Sequence, residues 1–191
     1  MMRIITGKAK GIRLKTLEGQ MTRPTAERVK EAIFSMLQFD IEGREVLDLF
    51  SGSGQMGLEA LSRGASRAVL IDRSPDAVKI IRENGEKTKL LSQCAIYRSD
   101  ALDYIRQNRG KKFDLIFLDP PYASDLYQKS FHALYEYEML KPSTLIVCES
   151  DSEGIFGGDT ELSNRFQIQR SSRYSKTVIS ILSLRCEEVG Q

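Results

Sequence analysis

The sequence predicts a doubly wound α/β fold, and three observations carry that expectation. Short apolar runs (46–50, 68–71, 95–98, 113–118, 145–148) alternate with stretches of helical periodicity. A glycine-rich turn, Gly52-Ser53-Gly54-Gln55-Met56-Gly57, joins the first run to the first of the alternating helices. A proline corner, Asp119-Pro120-Pro121-Tyr122, ends the fourth run, which is apolar enough to be buried on both faces. Right-handed crossovers then give a mostly parallel sheet. Two alternating stretches, 166–173 and 177–184, add an antiparallel hairpin at one edge and bring the count to seven strands.

Each element has a local reason. Residues 3–16 hold short β-like stretches around Gly7-Lys8-Ala9-Lys10-Gly11, which suggests a hairpin with a basic tip. Arg23-Pro24-Thr25 reads as a helix start, after which Ala26, Val29, Ile33 and Leu37 recur on one face, with Arg28, Lys30 and Glu31 outside it. A helix over 55–63 is closed by Gly64, and Ser74-Pro75-Asp76 opens another that runs to about Leu90. Ala77, Ile80, Ile81 and Asn84 follow its helical spacing. Further helices are expected over 101–108 and 125–138. Residues 149–161 carry five acids and no base, and read as a loop or weak helix. The organisation expected is a basic extension over 1–24, the main domain over 25–185 and a frayed tail over 186–191.

Composition narrows the class. A chain of 191 residues with 41% hydrophobic content suits one domain with a full-sized core. No apolar run approaches the length of a membrane span. Cys94, Cys148 and Cys186 lie far apart without a C-x-x-C pair, which favours reduced thiols in the cytoplasm and no metal site. Net charge is +2, but residues 1–30 hold eight Lys/Arg against two Glu, leaving −4 for the rest. That polarity turns the N-terminus toward a polyanion; a solvated basic edge is the plain alternative.

The switch point between strands one and four would bring the glycine turn, Asp48 and the proline corner into one crevice. Asp72 ends strand two, 20 residues after Gly52, where a carboxylate accepts from ribose hydroxyls. Asp48 would repel a pyrophosphate but suits the ammonium of a methionine moiety. Asp100 is placed to accept from an adenine amine or to cap a helix. With Phe50, Ser51, Gly52, Gly54, Gly57, Arg73 and Ala101 beside them, these acids favour S-adenosylmethionine over NAD. A plain strand-to-helix turn would leave Asp48 buried without a partner, which is costly. The proline corner suits a planar group bearing an NH2: Asp119 and a carbonyl accept its hydrogens while Tyr122 stacks on the ring.

Several stretches carry a resemblance to a known family. They are Arg3-Ile4-Ile5-Thr6-Gly7, Arg23-Pro24-Thr25, the Leu47–Gly54 loop, Gly57–Ala65, Asp119-Pro120-Pro121-Tyr122 and Tyr174-Ser175-Lys176-Thr177. Together they resemble the RsmD family of class I, Rossmann-like S-adenosylmethionine-dependent methyltransferases, over nearly the whole chain. The resemblance implies methylation of a guanine N2 in bacterial 16S ribosomal RNA, with Asp119, Pro120, Pro121 and Tyr122 at the reacting amine. Nothing in the sequence requires a dimer, so a monomer is expected, working on RNA free or within a 30S particle, and the uneven charge puts Lys8, Lys10, Arg13, Lys15, Arg23 and Lys176 on phosphates. Ser175 departs from relatives, which often have glycine there. Rival readings are an adenine-N6 methyltransferase, a non-catalytic RNA-binding assembly factor of the same fold, and an NAD-linked oxidoreductase.

Overall fold

Strands β1 (Glu45–Asp48), β2 (Arg67–Asp72), β3 (Cys94–Arg98), β4 (Phe113–Leu118), β5 (Leu140–Ser150), β6 (Phe166–Tyr174) and β7 (Thr177–Leu184) form one sheet of order β3-β2-β1-β4-β5-β7-β6. The computed structural model describes residues 2–17, 24–121, 125–151 and 154–185, with backbone alone at 24–26. The expectations placed on Arg23, Tyr122, the Ala26 side chain and the 186–191 tail lie outside these described residues. Strands β1 to β5 run parallel, and β7 pairs antiparallel with both β5 and β6. β1 pairs with β2 on one side and β4 on the other, so the chain reverses direction across the sheet between β1 and β4, as expected.

Side chains alternate between two cores. Val46, Leu70, Phe117, Val147 and Ile179 meet α1 (Pro24–Met36), α2 (Gln55–Ser62) and α3 (Pro75–Thr88) on one face. Leu47, Val69, Ile116, Leu118 and Cys148 meet α4 (Ala101–Gln107) and α5 (Leu126–Glu136) on the other. In α3, Ser74 caps the helix by accepting from Ala77 N at 3.3 Å, and Pro75 takes the first position, where its missing N–H costs nothing.

The N-terminal hairpin is part of the first core: Met2, Ile4, Ala9 and Leu14 are buried there. Ile4 N donates to Ile12 O and Leu14 N to Met2 O, both at 2.9 Å. Its turn docks on the end of α2, where Lys8 N donates to Ser62 O at 2.8 Å and Ala9 N to Ser62 Oγ at 3.0 Å. Gly7 has φ +84°, and a Cβ there would stand 1.8 Å from Ser62 O, so no other residue fits without moving backbone.

Lys30 corrects a sequence expectation. Helical spacing placed it outside the α1 core face, yet it is 2% exposed. Its Nζ donates to Arg3 O at 2.5 Å and lies 3.3 Å from Glu59 Oε2. Glu59, 0% exposed on α2, also accepts from Ile5 N at 2.7 Å, Thr6 N at 3.0 Å and Arg63 Nε at 2.8 Å. Burial lowers the Lys30 pKa, with Glu59 opposing it. One carboxylate thus ties the hairpin, α1 and α2 together.

Two further differences lie near the C-terminal half. β5 begins at Leu140 rather than at 145, because Thr144 Oγ1 donates to Phe113 O at 2.5 Å and accepts from Lys141 N at 2.8 Å, bridging the register shift beside β4. The acidic stretch is not simply a loop: Glu149 and Ser150 are the end of β5, and α6 (Thr160–Arg165) starts at its far end. Between them Ile155 is buried and the Phe156 ring packs on Phe131 at 5.4 Å. Asp159 caps α6 through Leu162 N at 3.0 Å and pairs with His132 Nε2 at 2.7 Å, which holds this segment to α5. Ser175, in the two-residue turn between β6 and β7, has φ +58°, a left-handed conformation that glycine adopts without strain.

Candidate active site

A crevice of about 610 Å3 opens beyond the C-terminal ends of β1, β2 and β4. Its size falls in the usual range for small-molecule sites, ~300–1,000 Å3. The glycine turn builds one wall. Gly54 adopts φ +77° as it enters α2, with Ile81 side-chain atoms 3.2 Å from the place of a Cβ, and a Cβ on Gly57 would meet Leu70 Cδ2 at 2.4 Å. These contacts let α2 pack close to β2 and α3. Gly52 lines the crevice itself.

The acids divide into those that line the crevice and those behind it. Asp72 lines it and holds both flanking turns, accepting from Gly52 N at 2.9 Å and Ser74 N at 2.8 Å. Asp100 lines it and also caps α4 through Leu102 N at 2.9 Å and Asp103 N at 3.3 Å, the cap that the sequence offered. Asp48 is 3% exposed and is not among the lining residues. The cost argued for a partnerless Asp48 is partly relieved, because Gly57 N donates to its Oδ2 at 3.3 Å. Burial pushes its pKa up to about 7, with Asp72 adding to the rise. Ser51 braces the same turn, donating from Oγ to Asp48 O at 2.8 Å.

Asp119, Pro120 and Pro121 line the opposite wall. Asp119 is open to solvent through the crevice while protein surrounds it on its other sides. That enclosure first, then the charges of Glu149 and Asp48, hold its carboxyl well above the usual range. Phe50, Arg73 and Ala101 line the crevice as well, whereas Ser51, Gly54 and Gly57 support it from behind. Tyr122 lies outside the described residues.

Sequence reasoning missed Leu17, Leu49, Ser99 and Leu126 in the lining. Leu17 arrives there through Asn84 on α3, which accepts from Lys15 N at 2.8 Å and donates to Lys15 O at 3.0 Å and Ser53 O at 2.9 Å. Asn84 was singled out only as a helix-spaced position; an amide on a buried helix stripe was the available signal. Lys8, Lys10, Arg13, Lys15 and Lys176 are all exposed, and Lys15 pairs with Glu83 at 2.5 Å.

The donor set fits a cationic nucleoside better than a dinucleotide. Asp72, Asp100 and Asp119 face one Arg73 among the lining residues, and the Gly52 N–H that a pyrophosphate needs is already taken by Asp72. Among the described residues no cluster suited to a metal ion occurs, and no helix is long and apolar enough to cross a membrane.

Comparison with known proteins agrees. A Bacillus subtilis protein, YlbH, is 40% identical over 154 residues, covering 80% of this chain and 84% of that protein. "Ribosomal RNA small subunit methyltransferase D" of Haemophilus influenzae is 35% identical over 154 residues, covering 80% of each. The solved structure of the Escherichia coli protein yhhF superposes with a TM-score of 0.82 at 26% identity, covering 97% of this chain and 99% of that one. The family described as "Conserved hypothetical protein 95" matches residues 2–183, and the chain belongs to it, the RsmD family that its motifs resemble.

Proposed function

We propose that this protein transfers a methyl group from S-adenosylmethionine to the exocyclic N2 of a guanine in small-subunit ribosomal RNA. The single observation that carries the reading is the Asp119-Pro120-Pro121 corner across the crevice from Gly52, Asp72 and Asp100. Relatives named as ribosomal RNA small subunit methyltransferases support the substrate class. The reading places the work in the cytoplasm, on RNA free or within a small-subunit particle, by a monomer.

Asp72 and Asp100 would hold the ribose and adenine of S-adenosylmethionine, and Phe50 and Ala101 would flank the ring. Bound there, the cofactor supplies a sulfonium methyl that in-line displacement moves to the amine nitrogen, releasing S-adenosylhomocysteine. The target amine is a poor nucleophile because its lone pair is delocalised into the base. Asp119 and the Pro120 carbonyl would accept its two hydrogens, localise the lone pair and aim it. Asp119 or water then takes the proton that the alkylated nitrogen sheds. Tyr122 would stack on the extruded base.

Exposed Lys8, Lys10 and Arg13 on the hairpin, with Lys176 at the β6–β7 turn, would contact phosphates. Four such contacts give log affinity falling with log salt at a slope of about −3 for single strands. A slope near zero in filter binding across a salt series removes these residues from the interface.

The test is to incubate the protein with labelled S-adenosylmethionine and small-subunit particles from cells lacking it, then identify the nucleoside by mass spectrometry. N2-methylguanosine is the expected product. N6-methyladenosine would keep the chemistry and overturn the base; unlabelled RNA with cofactor bound would favour an RNA-binding factor.

A further inference from the structure

Glu149 has a fixed backbone and an unclaimed carboxylate. Its backbone pairs with Ile179 in β7, and its carbonyl accepts from the Tyr127 hydroxyl of α5. No hydrogen bond or ion pair among the described residues engages its carboxylate, although the residue is only part-exposed. In the register of the parallel pair Leu118 faces Cys148, so Asp119 and Glu149 are the next positions on adjacent strands. Phe117 and Val147 lie in one core and Leu118 and Cys148 in the other, so alternation puts Asp119 and Glu149 on the same side of the sheet.

Such a pair is two neighbouring acceptors at the ends of neighbouring strands. The edge of guanine offers two neighbouring donors, the N2 amine and N1–H. The edge of adenine offers a donor, the N6 amine, beside a lone pair on N1. We propose that Glu149 is a specificity-determining residue that accepts N1–H of the target guanine while Asp119 and the Pro120 carbonyl accept its N2 hydrogens, an inference that rests on the guanine-N2 reading above. Against adenine the same carboxylate would face a lone pair, leaving one buried acceptor opposed to another.

The electrostatics agree with this use. Burial raises the Glu149 pKa, and Asp119 is raised by its own enclosure and then by the Glu149 charge. Ionised together, the two carboxylates have no donors between them, which is why both resist ionisation. Guanine brings them, and a sulfonium adds positive charge beside them.

2-Aminopurine separates the two contacts, because it keeps the amine at C2 but has a lone pair at N1. Particles reconstituted with small-subunit RNA carrying guanine or 2-aminopurine at the methylated position are compared by kcat/KM. The wild-type protein should prefer guanine by at least about tenfold. Glu149→Gln, whose amide can turn to offer a donor, should bring the ratio to within about threefold while S-adenosylmethionine affinity and the melting temperature hold. Wild-type protein that methylates both RNAs equally overturns the proposal without any variant, and so does a ratio that Glu149→Gln leaves unchanged. In both cases N2-methylguanosine as product preserves the parent reading. Wild-type product other than N2-methylguanosine brings down that reading and the proposal with it.

Discussion

Glu59 and Asp119 are both carboxylates, one on α2 and one just past β4. Glu59 is wholly buried and receives two backbone N–H groups, a guanidinium and an ammonium. Asp119 lies in a crevice with Asp48 and Glu149 as its charged neighbours, all acids. Burial acts on both regions, but around Glu59 the chain supplies every counter-group and around Asp119 it supplies none among the described residues. The first arrangement closes a structure; the second leaves charge and hydrogen bonding to be completed by something that binds. Acids that fold a protein and acids that serve chemistry are thus distinguished by what the sequence has already placed against them.

The contrast can be broken most severely at Glu59. Glu59→Ala removes acceptors from Ile5 N and Thr6 N and strands Lys30 in the core, which should cost about 3–5 kcal/mol. Urea unfolding measures it, and a loss under about 1 kcal/mol would mean that the hub holds little together.

Asp48 should answer with the opposite sign. Its folded pKa is raised from 3.8 to about 7, so the folded state holds the proton more tightly than the unfolded chain. The stability this contributes is complete below about pH 4 and is lost as pH rises through about 7. Asp48→Asn should therefore raise the stability of the cofactor-free protein by roughly 4 kcal/mol at pH 8 and leave it nearly unchanged below about pH 4. Thermal melts across that range would show the two curves separating with rising pH.

The smallest effect belongs at the rim of the Glu59 region. Arg3 pairs with Glu27 at 2.7 Å but with its side chain 56% exposed. Arg3→Ala should change stability by at most about 1 kcal/mol, which would separate burial from ion pairing as the source of the Glu59 effect.

Much of this was legible in the chain. Strand–helix alternation gave the sheet, Ser74-Pro75 marked a helix start by local chemistry, and the glycine turn and proline corner carried their geometry within a few residues. What stayed hidden depends on partners distant in sequence. Lys30 reads as a surface residue by spacing because Glu59 is 29 residues away, and Asn84 reads as a packing residue because Lys15 is 69 away. Glu149 was lost in an acidic stretch, since only the pairing of β4 with β5 brings it beside Asp119. Asp48 also has a backbone partner that the sequence did not show, Gly57 N, nine residues on.

The division between the two regions is tested most directly by Asp119→Ala, measured for methyl transfer and for S-adenosylmethionine binding in the same preparation. Turnover should fall by at least about 10²–10³ while the cofactor Kd stays within about threefold and the unfolding midpoint does not drop. Loss of cofactor binding or of the fold along with turnover would make Asp119 a structural acid like Glu59 and erase the distinction between the two regions.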